Sequence, residues 1–469
     1  MLPSADKRKT IKKGASAVKK KKICIIAAAV TAVIMTVCAV FGAMKLTVSG
    51  SSATSSAASP RKGEPLGSSS KAAASAESGA SDAASSGISS PDIVTYEDGE
   101  KGELRGMWIT YFELANMFTA KEGFDAAFGK ALDKSLEYGV NAAFVHVRSH
   151  ADAYYPSDSF PWSKYVTGHT GKQGTNPGFD PLERMITLCH ERGIEFHAWV
   201  NPYRVTFDSE DLTLLSNDNQ AKIWLTDGDE SNDSWIIHAK GGLYFNPAVP
   251  EVQSYIIDGV REIVQSYNVD GIHFDDYFYP SRDESIDEKE YAAYRASVHG
   301  TPLELADWRR ANVNVLVSSV YYAIKSCNRK CVFGISPMAS IGNNFVTVYA
   351  DCKAWLDGDY IDYIMPQLYF GFEYPKESSR FDRLLDEWEE LFSGRRQKLY
   401  IGLGAYRIGA TDENNVEWSE HDDMLARQIQ CIREGGGSDG FVFYSYTSFF
   451  ADDERHIAER KAVTDILQQ

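Results

Sequence analysis

Cysteine is scarce in this chain: seven in 469 residues. Cys24 and Cys38 fall in an apolar N-terminal run, and Cys189, Cys327, Cys331, Cys352 and Cys431 are scattered over the rest. An odd, sparse set with no C-x-x-C pair excludes a disulfide framework and a structural zinc site. Cys327 and Cys331 are near enough in sequence to pair, but buried free thiols are the expectation for the whole set. Several fingerprints are missing as well. No Gly-x-Gly-x-x-Gly follows a strand, and there is no P-loop, no His-Glu-x-x-His and no Gly-x-Ser-x-Gly elbow, which removes the commonest nucleotide, metalloprotease and serine-hydrolase readings. Basic charge is lacking too. Beyond residue 92 there are 35 Lys and Arg against 60 Asp and Glu, and a body that acidic excludes a nucleic-acid partner, whose phosphates need cations to displace their counterions.

The basic residues concentrate where the acids are missing. Residues 1–22 form a basic tail, with nine Lys and Arg between Lys7 and Lys22, and residues 23–44 are an uncharged apolar run. At about 1.5 Å per residue such a run crosses a hydrocarbon core of about 30 Å as one helix. The positive flank predicts a single-pass anchor in the cell membrane, with the N-terminus cytoplasmic and everything after Lys45 outside. A cleaved signal peptide is the competing reading; the length of the run and the lack of a small-x-small site near its end favour the anchor. Cys38 follows Ile-Met-Thr-Val, not a lipobox. Residues 45–92 are rich in Ser, Ala and Gly with almost no large apolar side chain, a composition that cannot offset its ordering entropy and predicts a disordered linker.

Residues 93–469 alternate short β-branched or aromatic runs with amphipathic stretches. Eight strands are expected at 104–110, 142–148, 194–201, 271–276, 332–338, 363–370, 399–406 and 440–446. Helices are expected between them, for example over 124–139, 181–193, 250–268 and 307–328, with Gly or Asn at their ends as left-handed caps and Pro250 opening one of them. Eight β-then-α units predict an α/β fold, a (β/α)8 TIM barrel. At about 375 residues the body exceeds the usual barrel, and the excess falls in two segments, 149–180 and 202–247, that follow the second and third strands. Both belong to the C-terminal face, where barrel active sites are built.

Strand parity then orients the stretch Val-Asp-Gly-Ile-His-Phe-Asp-Asp (269–276). Ile272 and Phe274 share one face and should meet the helices, which turns His273 and Asp275 into the barrel, with Asp275 at its mouth. Asp276 lies where the chain turns and can reach the same place. Two carboxylates in one cleft separate their pKa values, leaving one ionised group and one proton donor, the equipment of glycoside hydrolysis. Capping or an Arg partner is the structural alternative for Asp276. Polar residues recur at other strand ends: His146 and Arg148, then His197, Trp199 and Asn201, then Gln367 and Tyr369. Trp108, Tyr203, Tyr277, Tyr406 and Tyr444 join them. Sugar rings stack their C–H faces on such aromatics, so a glycan is the expected ligand and these side chains, with Arg204 and His273, the expected binding set.

Seven ordered stretches, among them Arg-Gly-Met-Trp-Ile-Thr (105–110), His-Ala-Trp-Val-Asn-Pro-Tyr-Arg-Val (197–205) and Gly-Ile-His-Phe-Asp-Asp-Tyr-Phe-Tyr-Pro (271–280), resemble the glycosyl-hydrolase-like family 10 proteins of the bacterial envelope. The likeness spans roughly 104–446. It implies a TIM-barrel glycosidase acting on envelope glycans, some relatives cutting peptidoglycan strands stripped of their stem peptides, with Asp275 in the main catalytic role and Asp276 beside it. A more distant resemblance to α-amylase-like barrels matches His273 and Asp275 but fails on the fifth strand, where Val332–Gly342 contains no Glu. Glu113 and Glu373 are the nearest substitutes by position. A 2-acetamido sugar offers another route, its carbonyl oxygen attacking the anomeric carbon, so that the two aspartates need only orient the acetamide and protonate the leaving oxygen. The expected function is a membrane-anchored glycoside hydrolase of the cell wall, with no metal and no organic cofactor. A non-catalytic wall-binding barrel and an enzyme for exogenous oligosaccharides are the alternatives.

Overall fold

The structure, a computed structural model, describes residues 102–468. The basic tail, the apolar run and the Ser/Ala/Gly-rich linker lie outside the described residues. Among the described residues no helix is long and apolar enough to cross a membrane.

Eight parallel strands close a barrel: β1 (Leu104–Ile109), β2 (Ala142–Arg148), β3 (Glu195–Val200), β6 (Gly271–Phe274), β7 (Val332–Ile335), β8 (Tyr363–Ile364), β9 (Lys398–Gly404) and β10 (Gly440–Tyr444). Each overlaps an expected strand, although β8 covers only the first two residues of the 363–370 expected there, and the circuit runs in chain order, β1 pairing with both β2 and β10. The remaining strands, β4 (Ile236–Ala239) and β5 (Gly242–Phe245), form an antiparallel hairpin inside the long segment after β3. Lys240 and Gly241 turn that hairpin with φ of 51° and 75°, as a two-residue turn between right-twisted strands requires.

Alternation along the strands builds two cores. Met107, Ile109, Ala143, Val145, Ala198, Val200, Ile272 and Phe274 face the helices, while Trp108, Phe144, Trp199, Tyr363, Met365 and Val442 fill the barrel interior. The interior is crowded: a Cβ on Gly334 of β7 would meet the Tyr363 ring at 2.1 Å, so glycine there makes room for an inward tyrosine.

The helices used below are α1 (Tyr111–Phe118), α2 (Phe124–Leu136), α3 (Pro181–His190), α4 (Pro250–Ser266) and α5 (Leu305–Cys327). Asp180 caps α3 by accepting the backbone N–H groups of Leu182 and Glu183, with Pro181 at the first helical position. Pro250 opens α4, which buries Val252, Ile256, Val260 and Ile263 at helical spacing. Gly139 and Gly193, after α2 and α3, take the left-handed conformation (φ 66° and 67°) expected of them. Asn328 does not. It ends α5 in extended backbone, φ −145° and ψ 109°, and the chain turns at 329–330 before β7. All five described cysteines are free; Cys189, Cys331 and Cys352 are buried and Cys327 and Cys431 half-buried.

Candidate active site at the barrel mouth

The inward parity of β6 carries His273 into the barrel and Asp275 to its rim. Asp275 is 2% exposed and held by donors alone: Trp199 Nε1 and Asn201 Nδ2 each lie 3.1 Å from Oδ2, and the Tyr277 backbone N–H 3.4 Å from Oδ1. Asn201 is itself oriented, since its Oδ1 accepts the Arg204 backbone N–H at 3.0 Å. Asp276 is half-buried, and its Oδ1 accepts a hydrogen bond from Gln367 Nε2 at 3.2 Å. Gln367 is fixed in turn by donating to the Ser336 carbonyl at 2.9 Å. Burial raises both acids, Asp275 to about 7 and Asp276 to about 6. The Arg204 charge opposes the rise at both, and Asp276 adds to it at Asp275. Two such neighbours titrate as a pair rather than singly.

His273 sits beneath the acids rather than in the cleft. It is fully buried, with Tyr363 Oη 3.1 Å from Nδ1 and Ser336 Oγ 3.0 Å from Nε2. Trp108 Nε1, 3.4 Å away, donates to Nε2, which places the ring proton on Nδ1. Burial holds its pKa well below the usual value, so it is neutral and supplies no positive charge beside Asp275. The fifth barrel strand, β7, thus contributes the Ser336 hydroxyl and carbonyl where a glutamate was sought.

Other expected site residues divide into two groups. Trp199 and Asn201 touch Asp275 directly, and His146 stacks on the Trp199 indole, ring centroids 3.3 Å apart. Tyr369, Tyr406 and Tyr444, from the ends of β8, β9 and β10, form one cluster with centroids 5.5–6.0 Å apart. Tyr277 (47% exposed) and Tyr406 (43% exposed) offer open ring faces. Trp108 is buried under this cluster, 5.8 Å from Tyr444.

Four expectations are corrected. Arg148 does not share the inward face with His146. A bulge between them pairs His146 with Trp199 but Arg148 with the outward Val200, and one extra residue is enough to reverse a side chain. Its guanidinium donates to Tyr155 Oη at 2.5 Å and to the Gly259 carbonyl of α4 at 2.9 Å. Tyr203 is fully buried in the outer core near Phe278, because the chain turns inward beneath the β4–β5 hairpin, where the Tyr203 carbonyl accepts the Phe245 N–H at 2.8 Å. Glu113 is committed to structure. It completes the capping box of α1, accepting the Thr110 N–H at 2.6 Å, and it also accepts from Ser445 Oγ at 2.7 Å, the Thr447 N–H at 2.6 Å and the Thr447 hydroxyl. Glu373 is exposed, its backbone N–H bonded to Glu417 Oε1 at 3.0 Å; its own charge bears on Glu417, and among the described residues no hydrogen bond joins it to either aspartate.

The role of Glu113 gives a first prediction. Glu113→Ala strands three hydrogen-bond donors from the segment after β10 and one at the start of α1, lowering stability by about 2–3 kcal/mol. Chemical denaturation measures this; an unchanged midpoint would refute the structural assignment.

Sequence reasoning passed over Tyr111, His150, Asp152 and Ser336. Asp152 is 1% exposed and accepts the N–H groups of Ser149 (3.3 Å) and His150 (3.0 Å); burial raises its carboxyl to about 6. Tyr111 packs edge-to-face with His146 and His150, ring centroids 5.4 and 5.0 Å away. Ser336 was within reach of parity, two residues after the inward Gly334. The other three depend on how the loops fold back over the mouth. Among the described residues no group of His, Cys, Asp and Glu converges as metal ligands would.

Comparison with known proteins identifies the family and the fold. The family model described as Glycosyl hydrolase-like 10 matches residues 103–420. Glycosyl hydrolase YngK of Bacillus subtilis (strain 168) is 35% identical over 358 residues, 71% of this chain and 66% of that protein. Glycosyl hydrolase DigH of Escherichia coli (strain K12) is 33% identical over 308 residues, 61% of this chain and 67% of that one. This chain therefore spans about two thirds of the length of either relative. Among solved structures, the PgaB (BpsB) glycoside hydrolase domain from Bordetella bronchiseptica superposes with a TM-score of 0.51 at 13% identity, over 78% of this chain and 99% of that one, a likeness of fold alone. The chain belongs to the Glycosyl hydrolase-like 10 family, whose class of chemistry is the hydrolysis of glycosidic bonds.

Proposed function

We propose that this glycoside hydrolase cleaves envelope glycan, with peptide-free peptidoglycan strands as substrate and the N-terminal apolar run as its membrane anchor. The observation that carries the reading is the pair Asp275 and Asp276, adjacent acids held near neutral pKa at the mouth of an aromatic-rimmed barrel. Every hydrogen bond to Asp275 comes from a donor, so the reacting form is the one in which Asp275 is fixed and ionised and Asp276 holds the pair's single proton, against the order in the free enzyme, where burial raises Asp275 further than Asp276. Asp276 has one oxygen bonded to Gln367 and is the less buried of the two, which leaves Oδ2 to carry the proton and exchange it with water. Asp275 orients the 2-acetamido group for attack on the anomeric carbon, and Asp276 protonates the departing glycosidic oxygen, then takes a proton from the water that opens the intermediate. The substrate-assisted route accommodates a fifth strand that offers Ser336 instead of an acid.

The active pair holds one proton. Hydrolysis is therefore expected to peak between its two titrations, near pH 6–7, and to fall on both sides. A kcat/KM profile flat from pH 5 to pH 8.5 would exclude this division of roles. The functional reading itself is tested by reducing-end release from peptide-free glycan strands and from intact sacculi side by side. Release from the stripped strands supports the proposal. Binding to both without release turns it into a wall-binding barrel.

A further inference from the structure

Arg204 follows β3 and is 5% exposed, yet its charge is not used up. Nε donates to the Ser149 carbonyl at 3.1 Å, in the tight turn that Asp152 braces through the Ser149 and His150 N–H groups. The guanidinium carbon lies 5.1 Å from the ring centroid of Tyr277, 5.9 Å from Phe207 and 6.0 Å from Tyr111, and the Tyr277 and Phe207 rings are exposed. The described residues give Arg204 two hydrogen bonds as donor, from its backbone N–H and from Nε, with none from either Nη and no carboxylate paired with the side chain, although Asp275 and Asp276 both feel its charge. Arg309 in the same barrel shows the contrast: its buried guanidinium donates to the Asp287 carboxylate, two backbone carbonyls and a tyrosine hydroxyl. A planar fork with two unused nitrogens, removed from most of its water, matches a carboxylate in two parallel hydrogen bonds.

Resting on the reading of this cleft as a glycosidase site, we propose that Arg204 binds a carboxylate of the glycan, so that the enzyme selects an acidic sugar. Sugars that present such a group include muramic acid, through its lactyl ether, and the hexuronic acids, through C6. For the first, a stem peptide joined through an amide removes the charge and adds bulk at the same atoms. Arg204 is then the residue that reads whether the peptide has been taken off.

The experiment measures binding to full-length Asp275→Asn protein, which cannot consume the probes. The probes are peptide-free glycan strands, the same strands with their carboxylates converted to methylamides, a neutral N-acetylglucosamine oligomer and a hexuronate oligomer. Free-carboxylate strands are expected to bind about 50-fold more tightly than the methylamides. Adding Arg204→Gln should remove that preference and Arg204→Lys should keep part of it; thermal melting confirms that each variant is folded. Equal affinity for carboxylate and methylamide strands overturns the proposal without reference to any Arg204 variant. So does an Arg204→Gln protein that binds every probe more weakly by one factor, which would make Arg204 a positioning residue for the acid pair. Arg204-dependent binding of the hexuronate alone keeps the carboxylate and removes muramic acid as its source. Hydrolysis of peptide-free strands by the wild-type chain is scored separately, and its absence with the Arg204-dependent preference intact overturns the hydrolase reading alone.

Discussion

Asp275→Asn is expected to lower hydrolysis of peptide-free strands by at least about 10³-fold while raising the melting temperature at pH 8. The loss follows from replacing a fixed carboxylate by a neutral amide that cannot orient and stabilise the cyclising acetamide. The gain follows from linkage. In the unfolded chain an aspartate titrates near 3.9, whereas burial lifts Asp275 to about 7 in the fold. A carboxyl raised on folding destabilises the folded state above its folded pKa, and the penalty is relieved as the pH falls through about 7 toward 4. Asparagine never bears the penalty and keeps the hydrogen bonds from Trp199 and Asn201 through its carbonyl oxygen. The stability difference between mutant and wild type should therefore be of order 1–4 kcal/mol at pH 8 and shrink toward zero at pH 4.5. Calorimetry at the two pH values, beside reducing-end assays, measures both effects. A mutant no more stable than wild type at pH 8 would mean that Asp275 is not held at a cost, and retained activity would remove it from the mechanism.

Arg309→Met is expected to be the most damaging single change to stability among the side chains outside the cleft. Arg309 of α5 and Asp287 have fully buried side chains. Nε donates to Oδ2 at 2.8 Å and Nη2 to Oδ1 at 2.5 Å, and further bonds reach the Asp283 and Arg282 carbonyls and Tyr349 Oη. These contacts pin 282–287, the continuation of the strand that carries the acid pair. Removing the cation leaves the buried Asp287 carboxylate without its guanidinium partner and releases the Arg282 and Asp283 carbonyls of the exposed turn, which costs about 3–5 kcal/mol. Arg309→Lys should recover little, since a point charge cannot form the forked contact. Replacing both partners, as Arg309→Met with Asp287→Leu, should recover much of the loss because no buried charge is left behind. Urea denaturation of the four proteins completes a double-mutant cycle; single losses below about 1 kcal/mol, or a double mutant as unstable as the sum of the singles, would refute the account.

Much of the barrel was legible in the sequence. All eight strands fell where apolar runs alternate with amphipathic stretches, and Pro250, Gly139 and Gly193 stood at helix boundaries for local backbone reasons. The placement of Asp275 at the mouth followed from period-two parity, a rule that needs only the strand itself. Arg148 obeyed the same rule on paper and broke it in the fold, because a bulge is decided by the partner strand and not by the residues that bulge. Glu113 looked like an acid of the cleft until its donors from Thr110, Ser445 and Thr447 were on the page, and two of those residues lie more than 300 positions away in the chain.

The sequence by itself thus determined the barrel, its strand order and the position of the acid pair, since each depends on local periodicity and on which side chains must leave water. Only the tertiary structure decided which charges are spent and which are free. Glu113 and Arg309 are satisfied by partners from distant segments, whereas Arg204 reaches the cleft with two nitrogens unused. A hydrogen bond is a matter of a few tenths of an ångström between groups that the chain brings together late, and no spacing along the sequence records it.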